Sequence, residues 1–203
     1  MSNTTRQNYH HGDLKSDLIR KGLTLLSQEG YEAFSLRKVA AACGVSQTAP
    51  YRHFKDKDEL VRAILDQAMS AFNESLEAAV QQYPDDPRSQ LKEMGMAYIR
   101  FFADNPEYMR LLFLSDMKLT GTEAFPCDED AYMQPGHAFA TLFGAVHRYC
   151  AAYPDRGWDE QQLTLFCWGL VHGISVLLAR DEFPCVSGYE PMVRSIIWNE
   201  HFL

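Results

Sequence analysis

Apolar residues recur along this chain at the i, i+3, i+4, i+7 spacing that buries one face of an α-helix. Leu14, Leu18, Gly22 and Leu25 share one stripe of a helix expected over 13–29, and Gly30 ends it. Leu36, Val39 and Ala40 form the buried face of a short second helix. Ser35 can N-cap it by accepting from an otherwise unpaired N–H. Gly44 can take the left-handed conformation that closes it. Val45 then fills the angle to another short helix, which Ser46 caps. That helix opens with Gln47-Thr48-Ala49, small and polar residues with no apolar reason to be there. Pro50 lies near its first turn, where a missing N–H does least harm. Asp56, with Glu59 three residues on, resembles a capping box. It starts a long helix running to about residue 82, ahead of Tyr83-Pro84-Asp85-Asp86-Pro87.

The rest of the chain continues in helices. Leu91, Met94, Tyr98, Phe101 and Phe102 keep helical spacing over 88–104, and Asn105-Pro106 breaks it. Residues 108–114 are apolar nearly all round and should be enclosed. Residues 115–131, with Gly121, Pro126 and Asp128-Glu129-Asp130, read as a mobile loop. A helix over 136–153 carries Phe139, Leu142, Phe143, Val146, Tyr149, Cys150 and Tyr153 on one face. The helix over 159–180 has two apolar faces. One holds Leu163, Phe166, Cys167, Leu170, Val171, Ile174, Leu177 and Leu178, and the other Leu165, Trp168 and His172. Two such faces suit contact with the same subunit and with a partner, and Gly169 and Gly173 let another helix approach. Tyr189, Met192, Val193, Ile196 and Ile197 mark a last helix over 188–202. The expected fold is all-α, with an N-terminal domain over 1–66 and a helical domain over 67–203.

The two short helices joined at Gly44 have the build of a helix-turn-helix DNA reader. Such a reader puts the N-terminal residues of its second helix toward base edges. Gln47 is then the best base contact, since its amide can pair with adenine. Ser46, Thr48 and Ala49 lie beside it, with Thr48 and Ala49 able to touch base edges or a thymine methyl. Tyr51, His53 and Lys57 suit phosphates, which position without specifying. Lys57, in a first helical turn, can share a phosphate with the helix N-terminus. Ser35, Arg37 and Lys38 open the preceding helix, and Arg37 can reach a base or the backbone. Phe54, Val39, Val45 and Cys43 belong to the core under either reading, and Tyr9-His10-His11 is a further contact or a plain tail.

The segments Tyr9-His10-His11-Gly12-Asp13-Leu14, Glu29-Gly30-Tyr31, Ser35-Leu36-Arg37-Lys38-Val39-Ala40, Gly44-Val45-Ser46 and Ala49-Pro50-Tyr51-Arg52-His53-Phe54-Lys55-Asp56-Lys57 resemble the N-terminal domain of TetR family transcriptional regulators. Trp168-Gly169-x-x-His172-Gly173 resembles the tryptophan–histidine–glycine signature of one C-terminal subclass. The resemblance implies an all-helical homodimer in which three helices bind DNA and about six form a ligand-binding and dimerisation domain. It implies a four-helix contact between the last two helices of each subunit, for which Leu163, Phe166, Leu170, Ile174, Met192, Val193, Ile196 and Ile197 are the expected residues. It also implies an effector pocket, for which Phe101, Phe102, Tyr108, Met109, Phe113, Phe143, Trp168 and His172 are the candidates. Aromatic lining with a few polar groups suits a small apolar or aromatic effector, although aromatics at this spacing also serve as ordinary core.

Composition changes this picture in one respect. The net charge of −8 runs against DNA binding. Its distribution does not: residues 1–66 carry ten Lys+Arg against eight Asp+Glu, and residues 67–203 carry nine against nineteen. The small basic excess falls on the reader, so affinity must rest on placed contacts and dimerisation. Five irregularly spaced cysteines point to a reducing cytoplasm. Neither a signal peptide nor a membrane-spanning run is expected. No metal, cofactor or catalytic constellation emerges, and His53 and Asp56 are better used for phosphate contact and capping. A cysteine-based oxidant sensor lacks any thiolate-stabilising cluster. The expected protein is a dimeric regulator, more a repressor than an activator, on palindromic double-stranded DNA. The alternative is an architectural or cell-division factor that binds DNA with no small-molecule effector.

Overall fold

A computed structural model describes residues 14–113, 130, 133–180 and 188–199. Every regular element among them is helical. The arm over 1–13 and the loop over 115–131, apart from Asp130, lie outside the described residues. The chain separates into two compact units, Met1–Ile64 and Leu65–Leu203.

In the first unit, α1 (Leu14–Ala33) buries Leu18, Leu23 and Leu26, and it kinks at Gly30, whose φ is 77° and ψ 170°. Gly22 lies so close to its neighbours that a Cβ there would stand 3.0 Å from Ile64 Cδ1. The helix α2 (Leu36–Cys43) buries Leu36, Val39, Ala40 and Cys43. The Lys38 backbone N–H donates to Ser35 Oγ at 3.3 Å, the expected N-cap. Gly44 closes α2 at φ 69°. Gly44 N–H then donates to Ala41 and Val45 N–H to Ala40, at 3.1 and 3.0 Å, the paired bonds that satisfy the last carbonyls of a helix.

The expected second reader helix is not an α-helix. Residues 46–53 form a tight coil with one 3-10 turn, Pro50–Arg52. The reason is Pro50. An α-helical bond to the Ser46 carbonyl would need an N–H at residue 50, which proline lacks. Ala49 N–H donates there instead, at 2.9 Å. The segment expected as two α-helices is therefore one α-helix, α2, and a proline-wound turn.

The helix α3 (Lys57–Gln81) starts at the expected cap: Glu59 N–H donates to Asp56 Oδ1 at 2.9 Å. Glu59 returns its carboxylate to the Lys55 N–H at 2.5 Å. Its later residues, Leu65 onward, belong to the second unit.

The second unit is built around α4 (Pro87–Asp104), capped by Asp86, which accepts from the Arg88 and Ser89 N–H groups. This helix packs against α6 (Ala138–Ala152), α7 (Glu160–Ala179) and α8 (Tyr189–Ile197). The enclosed α5 (Pro106–Phe113) packs on α7, and its Arg110 guanidinium donates to the Ala179 carbonyl at 2.9 Å, a cation placed where a helix end carries partial negative charge. Phe72, Tyr98, Phe101 and Phe102 form an aromatic cluster with ring centroids 5.0–5.2 Å apart. Buried Gln90 is fully used: its amide donates to the Tyr83 carbonyl at 2.7 Å, and its oxygen accepts from Arg148 Nε at 2.7 Å.

By length and composition α7 is apolar enough to cross a membrane, with a mean hydropathy of 1.6. The core helix of a folded domain meets the same criterion, so the helix does not overturn the expectation of no membrane-spanning run. Its two apolar faces account for the value: Leu163, Val171, Leu178 and Ala179 are buried in the unit, while Leu165, Trp168 and Leu177 are 70%, 41% and 45% exposed.

Candidate nucleic-acid interface and effector cavity

On the first unit the coil after Gly44 presents Ser46, Gln47, Thr48, Tyr51 and His53 as exposed side chains, with Ala49 half-buried. Tyr51 is 53% exposed. Folding alone gives a large ring no reason to stand there. Four backbone bonds, from Ala49, Arg52, His53 and Phe54, hold the coil in shape, and Phe54, 2% exposed, anchors its end. Ser46 and Thr48 hydroxyls lie 3.2 Å apart.

The basic residues divide into two groups. Arg37, Arg52 and Lys55 are exposed, and the last two add positive charge that the sequence reading did not assign to DNA. Lys38 pairs with Glu29 at 2.6 Å. Lys57 donates to the Tyr31 carbonyl at 3.2 Å, and its ammonium sits 3.9 Å from the Tyr31 ring centroid. Tyr31 is in turn hydrogen-bonded to Asp58. These two lysines are already engaged within the protein, so a phosphate must share or displace their partners. Ser35 Oγ is the α2 cap, which leaves it a structural role.

The second unit contains an apolar cavity of about 200 Å³. One wall is Met69, Phe72 and Leu76 of α3, and another is Leu91, Met94, Gly95 and Tyr98 of α4. Phe113 closes it from α5, and His137, Phe139 and Leu142 from the start of α6. Phe166, Cys167, Trp168, Leu170 and Val171 of α7 and Ile196 and Ile197 of α8 complete it.

This lining corrects the expected pocket. Of the eight candidates, Phe113 and Trp168 line the cavity. Phe102 and Met109 are wholly buried packing residues. Phe101 and Tyr108 stack on each other, centroids 5.9 Å apart, and Phe143 is half-buried on α6 outside the lining. His172 sits behind the wall: its Nδ1 is 3.0 Å from the Tyr98 hydroxyl, and its ring meets Phe113 edge-on at 4.8 Å. The α3 residues and Met94 were missed. Their signal was available, since Met69, Phe72 and Leu76 share one helical face.

The expected dimer residues also need correction. Leu163 and Val193 are buried in the unit's own core, at 0% and 1% exposure. Phe166, Leu170, Ile196 and Ile197 face the cavity, and Ile174 is half-buried. Leu163, Val193 and Ile197 are thus consumed by their own subunit, while Phe166, Leu170 and Ile196 are half-buried. Of that set only Met192 is exposed, at 37%. The open apolar stripe of α7 is instead Leu165, Trp168 and Leu177, with Gly169 and Gly173 beside it, where an added Cβ would meet nothing within 4 Å.

Burial favours the neutral forms of Tyr98, Cys167 and His172. It raises the Tyr98 phenol far above its ordinary value, against a hydrogen bond from Trp168 that works the other way. It pushes the Cys167 thiol up to about 12 and lowers His172 below the ordinary histidine value. The thiols of Cys43 and Cys150 are also raised by burial. Weak thiolate character is the opposite of what an oxidant sensor needs.

Residues 18–64 match the family described as "Bacterial regulatory proteins, tetR family". Residues 91–197, more than half of the chain, match "Tetracyclin repressor-like, C-terminal domain". The chain belongs to the TetR family. It is a DNA-binding transcriptional regulator of that family, and the family is one of regulators rather than enzymes. The HTH-type transcriptional regulator AcrR of Shigella flexneri is 37% identical over 83 residues, which are 40% of this chain and 38% of the relative's own length. Among solved structures, a TetR family regulator from Marinobacter aquaeolei VT8 superposes with TM-score 0.66 at 16% identity, covering 91% of this chain and 93% of its own. FadR of Bacillus subtilis in complex with stearoyl-CoA gives TM-score 0.61 at 12% identity, covering 90% and 96%. At these identities the two structures share the fold with this TetR-family chain.

Proposed function

We propose that this regulator acts in the cytoplasm as a homodimeric repressor on a palindromic operator and is released by a small apolar or aromatic effector. The observation that carries the reading is the coexistence of two features no single structural need explains. One is the exposed, backbone-fixed set Gln47, Thr48 and Tyr51, and the other is the apolar cavity in the second unit. Two readers must enter successive major grooves about 34 Å apart. An effector that binds the two states unequally, acting through α3, would change that spacing; one that binds them equally would shift nothing. The partner face we assign is the exposed stripe Leu165, Trp168 and Leu177 with Met192. The tryptophan–histidine–glycine subclass is supported by how Trp168 and His172 hold the Tyr98 hydroxyl from consecutive turns of α7.

The cavity favours this reading over an architectural or cell-division factor without an effector. The test is selection of genomic fragments by the purified full chain, read by sequencing. One palindrome beside a promoter is expected. Gln47→Ala should relax selectivity at one position by about 1–3 kcal/mol, whereas Lys57→Ala should weaken all sequences alike and reduce the salt slope by about one. Enrichment of no sequence at low salt would overturn the operator reading.

A further inference from the structure

Among the described residues, no Lys, Arg, Asp or Glu lines the cavity between α3, α4, α5, α6, α7 and α8. The polar groups beside it already have partners: the Tyr98 hydroxyl is held at 3.0 Å by His172 Nδ1, and His137 Nδ1 accepts from the Phe139 N–H at 3.1 Å. A charged ligand entering here would lose its hydration and meet no lysine, arginine or carboxylate among these lining residues to offset that loss. Size sets a second limit. A dry apolar cavity of about 150 Å³ takes up benzene. The present volume of about 200 Å³ therefore suits one substituted ring or two fused rings, not a long chain. The wall chemistry sets a third. Phe72, Phe139 and Trp168 offer ring faces and edges to a planar guest, and the flexible thioethers of Met69 and Met94 adjust to its outline.

We propose that the cavity binds uncharged aromatic molecules of one or two rings and rejects their carboxylates and acyl-CoA thioesters. This rests on the effector reading above and narrows it to a ligand class. It also separates this chain from the fold neighbour solved with stearoyl-CoA, whose ligand is long and anionic.

The experiment is calorimetric titration and thermal shift of the full chain with naphthalene and indole, set against 2-naphthoate and stearoyl-CoA. The neutral probes should bind one per chain and raise the melting temperature, as a ligand of the folded state must. The naphthoate should bind at least about a hundredfold more weakly. Leu142→Phe, at a half-buried lining position, should weaken naphthalene with little change in the melting temperature of the unliganded protein. Naphthoate or stearoyl-CoA binding as tightly as naphthalene would overturn the proposal, as would failure of both neutral probes to bind. The operator assay separates this from the effector reading. If naphthalene fills the cavity and the operator complex is unchanged, the ligand class stands and effector control falls. If only anionic ligands release the operator, effector control stands and the ligand class falls.

Discussion

The coil over 46–53 and the cavity of the second unit present opposite solutions to the problem of recognition. The coil displays polar and aromatic groups to solvent on a backbone fixed by its own hydrogen bonds. The cavity withdraws almost all polarity, and its walls are the same kinds of side chain that make the core around it. A residue exposed against its nature advertises a use. A residue buried in keeping with its nature does not, because packing alone accounts for it.

Two aromatic substitutions sharpen this contrast most. Phe102→Ala removes a wholly buried ring from the aromatic cluster and should cost about 3–5 kcal/mol of stability, read by urea unfolding. Tyr51→Ala removes a ring that is 53% exposed. It should leave stability within about 0.5 kcal/mol while weakening binding to the selected operator. A comparable stability loss at Tyr51 would mean that the ring belongs to the fold and not to the interface.

The exposed stripe of α7 gives the next largest effect. Leu165→Glu places a charge at a position 70% exposed in the single chain, so folding should be unaffected. If this stripe is the partner face, the dimer should weaken by about a hundredfold or more, measured by sedimentation equilibrium. An unchanged dimer would move the interface elsewhere.

The same contrast explains how much was legible in the sequence. Helix positions followed from periodicity because caps and breakers reinforced it: Ser35, Gly44, Asp86 and Asp159 all sit where a helix begins or ends. The reader segment was legible for the reason given above, and only its α-helical character failed, since Pro50 deprives the Ser46 carbonyl of its helical donor. The cavity was located to the right unit but not to the right residues. Periodicity says that Phe102 and Met94 both point inward, yet it does not say which meets another side chain and which meets empty space. That depends on how six helices converge, and a residue pair such as Gly95 and Val171, with 3.4 Å from a notional Cβ to the valine methyl, is set by tertiary approach alone. The face of α7 was ambiguous for a related reason. Two apolar stripes lie on one helix, and the assignment of Leu165 rather than Leu163 to the partner needed the position of α4.

Gly44→Ala probes the frame that holds the coil. At φ 69° an L-residue is strained by about 1 kcal/mol or more. The loss should appear in stability and equally in binding to every DNA sequence, because the frame and not a base contact is disturbed. A change confined to one base position would contradict that assignment.

The smallest expected effect is electrostatic and lies at the start of α4, which forms one wall of the cavity. Asp86 accepts from the Arg88 and Ser89 N–H groups at 3.1 Å and from the Ser89 hydroxyl at 2.5 Å. The Ser89 bonds hold its carboxyl below the ordinary carboxylate range. A group whose folded-state value is depressed stabilises above its unfolded value, near pH 4, and that contribution is lost as pH falls through the folded value. Asp86→Asn keeps a capping oxygen but removes the titration. The wild type should therefore be the more stable of the two near neutrality, and its advantage should shrink as pH falls below about 4, followed by thermal unfolding in increasingly acid buffer. Because Asp86 is exposed, the difference should be small and should diminish further in salt. An advantage that stays constant in acid would show that the cap works through geometry alone, with its charge contributing nothing.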